Sequence, residues 1–300
     1  MDKNILVSFI TINYNSSKYT IDLIKSIHKF TSVEYEIIVV DNKSKRKDLL
    51  NLETFTIKDS KVKLIKNSSN DGFSAGNMFG VQHARGEYYF FINNDTQLLN
   101  DCSLMMSKYL DTHKDISLAT AKVKDEKGNF SSSYKLFPSL VKELFGNSVA
   151  RKFTKHNFPS NKLKLDKPTL VEVVSGSCMF FRAVDFNNIG GFDTEFFLYC
   201  EEEDLSKRVW NYGKKVVFLP DAQIVHYSGG STTKSFEIER EYYISYIYLL
   251  KKHFSFFVRN ILKVLLLFKL FRRSFKKKNG LKLFLCVLKM CPKTLSLRYR

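Results

Sequence analysis

Proline is the first shortage: five residues in a chain of 300 that is 44% apolar and carries 27 Phe and 15 Tyr. Such a composition excludes the disordered class and supplies ample material for a core. Cysteine is sparse too. Cys102, Cys178, Cys200, Cys286 and Cys291 are odd in number and form no CxxC pair, which predicts free thiols in a reducing cytosol rather than a disulfide framework. Met1-Asp2-Lys3-Asn4 runs straight into an apolar strand pattern, without the basic segment, apolar segment and cleavage site of a signal peptide. Acidic residues are missing from one whole region. Residues 251–300 hold 15 Lys and Arg and no Asp or Glu, so most of the net charge of +18 lies there, and the first 250 residues are nearly balanced. Two phosphate-binding signatures are also absent. Asn13-Tyr14-Asn15-Ser16-Ser17, after the first strand, contains no glycine, which excludes the GxGxxG fingerprint, and no P-loop occurs.

What is present is a regular alternation. Ile5-Leu6-Val7-Ser8-Phe9-Ile10-Thr11-Ile12 reads as a buried strand, and Ile21, Ile24 and Ile27 then recur at helical spacing. Glu36-Ile37-Ile38-Val39-Val40 is a second strand, ending at Asp41-Asn42, and Val62-Lys63-Leu64-Ile65 is a third. A loop over Asn70-Asp71-Gly72-Phe73-Ser74 leads to a helical stretch through Met78 and Val81, then to the strand Tyr88-Tyr89-Phe90-Phe91-Ile92. Strands alternating with helices predict an α/β fold, with a mostly parallel sheet covered on both faces. Ligands of such sheets bind beyond the carboxyl ends of the strands. Here three strands end in Asn13, Asp41 and Asn93-Asn94-Asp95. One polar strand end is a turn; three on one edge outline a site. Residues 125–168 read as a long excursion. Regularity returns from Val171 to Phe181, then in a helix through Leu205, Val209 and Trp210 and a strand Val216-Val217-Phe218-Leu219.

Two further groups carry chemistry. Glu201, Glu202, Glu203 and Asp204 open a helix, where acids complement the helix dipole. They follow Phe196-Phe197-Leu198-Tyr199, an apolar wall, and a carboxylate in such surroundings is also a candidate general base. His226 follows a strand and precedes Gly229-Gly230-Ser231. A lone histidine reads as structural or as a ligand; with Asp95 it would suit a divalent cation such as Mg2+ or Mn2+ and leave positions open for phosphate oxygens. A glycosidase uses paired acids, but has no need of polar groups at three successive strand ends.

The order of the segments is distinctive. Ser8 to Asn15, Ile38-Val39-Val40-Asp41-Asn42, Asn70 to Asn77 and Ala84-Arg85-Gly86-Glu87-Tyr88 lead to Asn93-Asn94-Asp95. Ser175-Gly176-Ser177, Gly190-Gly191-Phe192-Asp193, Phe197 to Leu205 with Arg208, and His226 follow. In this order, over residues 5–235, the chain resembles the family 2 glycosyltransferases and, within them, the bacterial rhamnosyltransferase-like branch. The resemblance implies a GT-A fold, a nucleotide-diphosphate sugar donor and inversion at the anomeric carbon. It implies that Asp41 contacts the nucleoside, that Asn13 and Tyr14 line the base pocket, and that Asp71 and Asn77 lie near the nucleotide or sugar. Asn93, Asn94 and Asp95 fall on the family's DxD position beside the donor, with Asp95 the metal ligand, Asn93 a helper and His226 completing the metal site. Glu202 falls on the catalytic base, with Glu201 its rival. Two departures stand out: Asn93 replaces the first Asp, and Glu202 replaces the usual Asp, adding a methylene of about one ångström.

The tail is the last feature. Phe254 to Phe271 is long enough to span a bilayer, but Arg259, Lys263 and Lys269 interrupt it. In helical projection they gather with Arg273, Lys276 and Lys277 on one side of a wide apolar arc, and no acid within the tail balances them. The pattern predicts a basic amphipathic extension lying in a membrane interface, held by anionic headgroups. A second such segment runs from Leu281 to Met290. The alternatives are a helix packed on the catalytic domain and a nucleic-acid arm; the aliphatic run argues against the second. The expectation is thus a catalytic domain over 1–235 and a helical extension over 236–300. Its partners would be a nucleotide-sugar, a glycan or polyprenyl-linked acceptor and the anionic inner face of the cell membrane, with no nucleic acid. dTDP-rhamnose is the donor implied by the branch, or else a UDP-hexose. The competing activities are a sugar-1-phosphate nucleotidyltransferase, which needs a Gly-rich basic loop after the first strand, and a non-catalytic membrane- or nucleic-acid-binding protein.

Overall fold

The computed structural model describes residues 6–299 apart from 155, 157, 162, 164, 228, 230–234 and 278, so Gly230-Ser231 lies outside the described residues. The chain opens with β1 (Leu6–Asn13), α1 (Ser17–Phe30), β2 (Glu34–Asp41), α2 (Arg46–Thr56), β3 (Val62–Lys66), α3 (Gly72–Val81) and β4 (Tyr88–Ile92). It continues through β5 (Thr96–Leu98), α4 (Cys102–Thr112), β6 (Ile116–Lys124), β7 (Tyr134–Lys135) and α5 (Leu140–Lys152). Then come β8 (Thr169–Leu170), β9 (Val173–Val174), β10 (Cys178–Arg182), α6 (Ala183–Asn188), α7 (Glu201–Asn211) and β11 (Lys215–His226). Three helices close it: α8 (Phe236–His253), α9 (Phe256–Ser274) and α10 (Gly280–Leu288).

The main sheet is ordered β3-β2-β1-β4-β10-β6-β11-β5, with β8 on the side of β11. The first four strands in that order are parallel, as are β6 and β11, while β10 runs antiparallel between β4 and β6. Side chains alternate across the sheet with period two. Phe9, Phe90 and Phe180 enter one layer with Ile24 and Met106; Ile10, Phe91 and Phe181 enter the other with Phe186, Leu205 and Val209. Both faces are covered, which is why the strands read as continuous apolar runs rather than as alternation.

Three local expectations change. The loop read over Asn70–Ser74 is cut short, because α3 starts at Gly72. The segment Val171–Phe181 is two strands divided by a turn at Ser175-Gly176-Ser177. The strand read at Val216–Leu219 continues to His226, and its register with β6 shifts between Leu219 and Gln223. Pro220 sits within that shift, where a missing N–H breaks no ladder bond.

The C-terminal helices form a layer beside α7. Tyr243, Ile244, Ile247 and Leu250 of α8 share one apolar cluster with Phe196, Cys200, Phe137 and Val173, and with Leu262, Leu270, Leu283 and Val287 of α9 and α10. The tail's charge is also less isolated than expected. Lys269 pairs with Glu143 of α5, and Arg273 lies 2.5 Å from Glu239 of α8. The balancing acids come from α5, remote in sequence, and from α8, the helix before α9, so a count over residues 251–300 misses them. α9 turns an apolar stripe outward: Phe257, Ile261, Val264, Phe268 and Phe271, with Phe275 just beyond its end, are exposed at helical spacing. No helix among the described residues is long and apolar enough to cross a membrane.

Candidate active site

The strand ends are tied into one network. Asn13 and Asp41 face each other across the parallel β1–β2 ladder. The Asn13 amide nitrogen donates to Asp41 Oδ1 at 2.8 Å, Asp48 Oδ2 at 2.9 Å and Ser44 Oγ at 3.0 Å, and its oxygen accepts from Thr20 Oγ1 at 2.8 Å. Thr20 in turn accepts from the Asn94 amide at 2.9 Å, and Ser16 Oγ accepts from the same nitrogen at 2.6 Å. Asn13, Asp41 and Asn94 are buried. Their amides and carboxylate thus hold the loop after β1 against the turn after β4. Tyr14 is 45% exposed on that loop. Asp71 accepts from Asn67 at 2.8 Å and Ser69 at 2.7 Å; Asn77 is buried and donates to the Phe73 carbonyl at 3.0 Å. The start of α3 is docked on the segment before α7: Phe73 N donates to Phe197 O at 2.7 Å. Gly72, at φ +80°, has no room for a Cβ against that same carbonyl.

Asp95 closes the turn. It is 3% exposed, and its Oδ1 lies 3.1 Å from Nε2 of His226, the last residue of β11. The β11–β5 ladder sets this meeting, since His226 is registered opposite Thr96, the residue after Asp95. A carboxylate oxygen beside an imidazole nitrogen is a donor set that fits Mn2+ or, less well, Mg2+. No cluster of three or more His, Cys, Asp and Glu suited to a metal occurs among the described residues, so the remaining positions would fall to water and phosphate oxygens. Asn93 is half-buried, and its backbone N–H donates to the Ser177 carbonyl at 3.1 Å.

That bond leads to the acids. Ser175-Gly176-Ser177 runs from the Asn93 turn to the start of α7, and a Cβ on Gly176 would stand 3.7 Å from Glu202 Oε2 and 3.9 Å from Glu201 Oε1. Tyr199 and Cys200, both left-handed at φ 73° and 68°, turn the chain sharply into the helix. Such consecutive left-handed residues without glycine cost about 1–3 kcal/mol each, and they carry Glu201 and Glu203 inward, to 5% and 7% exposure. The second oxygen of each of Glu201, Glu202 and Glu203 is buried without a hydrogen bond.

The counter-charge comes from Lys135 of β7, whose ammonium lies 2.9 Å from Glu202 Oε1 and 2.5 Å from Glu203 Oε1. Burial works against the Glu202 carboxylate, but the ammonium outweighs it and holds Glu202 below the usual carboxylate range. Burial, with Glu202 beside it, pushes Glu201 well up, and burial with the same neighbour raises Glu203 to about 7. Three carboxylates with one cation in a desolvated space do not all ionise. The Lys135 ammonium favours the charged form of Glu202. Asp204, at the back of the same turn, is fully buried against Arg208, Lys252 and His253.

Sequence reasoning had located the strand ends, Asp95, His226 and the acids. It missed Lys135, which lies in the stretch read as an excursion, and the scaffold of Ser16, Thr20, Ser44 and Asp48. The one available signal was arithmetic: consecutive acids behind an apolar wall need a cation from elsewhere.

A Rossmann-like sheet with a polar strand edge, covered by helices and closed by an acid-led helix, is the GT-A architecture of nucleotide-sugar-dependent glycosyltransferases. The chain belongs to glycosyl transferase family 2, whose model matches residues 8–190. It is similar to the rhamnosyltransferase WbbL of Escherichia coli K12, 26% identical over 231 residues that cover 74% of this chain and 84% of WbbL. Over 82 residues, 27% of each protein, it is 33% identical to the N-acetylglucosaminyl-diphospho-decaprenol L-rhamnosyltransferase of Mycobacterium tuberculosis. Among solved structures it superposes on GalNAc-T7 with UDP, GalNAc and Mn2+ at a TM-score of 0.63 and 14% identity, over 84% of this chain. It spans 48% of the GalNAc-T7 chain, so that likeness is one of fold.

Proposed function

We propose that this glycosyltransferase inverts the anomeric centre as it moves a sugar, rhamnose from dTDP-rhamnose or else a hexose from a UDP-hexose, to a hydroxyl of a lipid-linked or polysaccharide acceptor. The observation that carries this is the Ser175-Gly176-Ser177 loop, which links the turn holding Asp95 to the unpaired oxygen of Glu202. The relatives named as rhamnosyltransferases support the donor, and the mycobacterial one, named for a diphospho-decaprenol substrate, supports the lipid-linked acceptor.

Asp41 contacts the nucleoside, Asn13 and Tyr14 line the base pocket, Asp71 and Asn77 lie near the nucleotide or sugar, and Asn93 and Asn94 shape the turn beside the diphosphate. Asp95 and His226 hold the divalent cation, with Asn93 as a helper. When bound, the cation supplies charge neutralisation to the leaving diphosphate. Glu202 Oε2 takes the proton of the acceptor hydroxyl. The hydroxyl oxygen forms its bond to the anomeric carbon as the bond to phosphate breaks on the opposite face, and the bonding pair leaves with the nucleoside diphosphate. Burial, with Glu202 beside it, raises the pKa of Glu201, so its charged form is disfavoured and it is the rival base.

The exposed stripe on α9, with Leu281, Leu285 and Leu288 exposed on α10 and Arg272, Lys276, Lys277, Lys282 and Lys289 around it, supports docking on an anionic membrane surface. A lipid-linked acceptor would be met there, at the cytoplasmic face of the cell membrane. Calorimetric titration with dTDP-, UDP- and GDP-sugars, with and without Mn2+, tests the donor. One nucleotide-sugar should bind, and more tightly with the metal. Binding of none, or a preference for a nucleoside triphosphate with a sugar-1-phosphate, rejects the proposal.

A further inference from the structure

We propose that Lys135 is a positioning residue for Glu202: it holds one carboxylate oxygen and leaves the other without a hydrogen bond, facing Gly176. This inference rests on the reading of Glu202 as the base.

The geometry starts with the two oxygens of Glu202. Oε1 is taken by the Lys135 ammonium at 2.9 Å, whereas Oε2 has no hydrogen bond and faces Gly176. A side chain at Gly176 would fill the space in front of it. The ammonium also reaches Glu203, so the lysine spans two acids and fixes the rotamer of both.

Lys135 is itself held by the loop it serves. Tyr134 and Lys135 pair with Val174 and Val173 in the two-stranded β7–β9 ladder, and Ser175 N donates to Ser133 O at 2.8 Å, carrying the pairing into the turn. The strand that brings the lysine is therefore bonded to the loop that covers the carboxylate. A shift of one moves the other.

No other cation takes this place among the described residues. Around Lys135 stand Glu201, Glu202, Glu203 and Cys200 on or before α7, Tyr242 of α8 and Lys142 of α5. The Lys142 ammonium is turned to the Leu136 carbonyl at 2.8 Å, and burial lowers its pKa. Without Lys135 the acids would face one another in a desolvated space, and protons would return to them. A protonated Glu202 accepts no proton from a hydroxyl.

The test needs no substrate. Protein labelled with carbon-13 at the glutamate side-chain carboxyls is titrated by NMR, with residues 201–203 assigned through Glu201→Gln, Glu202→Gln and Glu203→Gln. In Lys135→Met the Glu202 midpoint should rise by about one pH unit or more, as expected when a carboxylate loses a paired cation. In Lys135→Arg it should stay near the wild-type position. Where Lys135→Met fails to fold by circular dichroism, Lys135→Gln is read by the same criterion. An unmoved Glu202 midpoint in folded Lys135→Met or folded Lys135→Gln overturns the proposal. Because the titration uses no donor or acceptor, it fails independently of the base reading, which Glu202→Gln tests by turnover.

Discussion

Asp95 Oδ1 and His226 Nε2 lie 3.1 Å apart although 131 residues separate them in the chain. The ladder between β5 and β11 makes the meeting a matter of strand register, so the pair is held by backbone bonds and not by the side chains alone.

Removing either partner should therefore spare the fold and weaken the metal-dependent part of donor binding. Asp95→Asn and His226→Ala are each expected to lower Mn2+-dependent nucleotide-sugar affinity by about tenfold or more. Calorimetry with and without Mn2+ reads this directly. Equal binding by wild type and both variants would remove the pair from the metal site.

Glu202→Gln keeps the shape of the side chain and removes its ability to take a proton. Donor binding should stay nearly intact, while turnover falls by about 10²-fold or more. Near wild-type turnover would take the base role from Glu202, and the same measurement on Glu201→Gln then tests its rival.

Asp204 predicts a pH dependence of stability. Burial opposes its charge, but His253, Arg208 and Lys252 hold its pKa down to about 2, from an ordinary 3.8. The folded value lies below the unfolded one, so the stabilisation is complete above about pH 4 and is lost as pH falls toward 2. Asp204→Asn leaves buried cations without their partner and should cost about 3 kcal/mol at pH 7. Urea unfolding of both proteins from pH 7 to 2 should show the gap closing at low pH. A constant gap would mean that Asp204 contributes packing alone.

The outward stripe of α9 gives a membrane test that leaves the core untouched. Val264 and Phe268 are each 62% exposed, whereas Leu262 and Leu270 are buried against α8 and α10. Val264→Glu with Phe268→Glu should reduce flotation with anionic liposomes without lowering the melting temperature. Deleting residues 254–300 would be a poorer experiment, because it strips part of the apolar cluster that packs on Cys200. Unchanged flotation of the double variant rejects docking through this face.

Much of this protein was legible in one dimension. Strands buried on both faces are written as continuous apolar runs, and their polar ends are written as Asn13, Asp41 and Asn93-Asn94-Asp95, because both patterns depend on local neighbours. The acid run at 201–204 was legible for the same reason. What only the tertiary structure decided are the pairings between distant elements. Lys135, in a stretch without periodicity, meets Glu202 because a two-residue ladder brings β7 to β9. Asn94 turns inward to Ser16 and Thr20, a direction that depends on the packing of α1 under β5. Lys269 and Arg273 find Glu143 and Glu239 only once α5 and α8 lie beside α9. Hydrophobic periodicity records which face of an element is buried, but a single charge records nothing about the partner it will meet; chain topology supplies that partner.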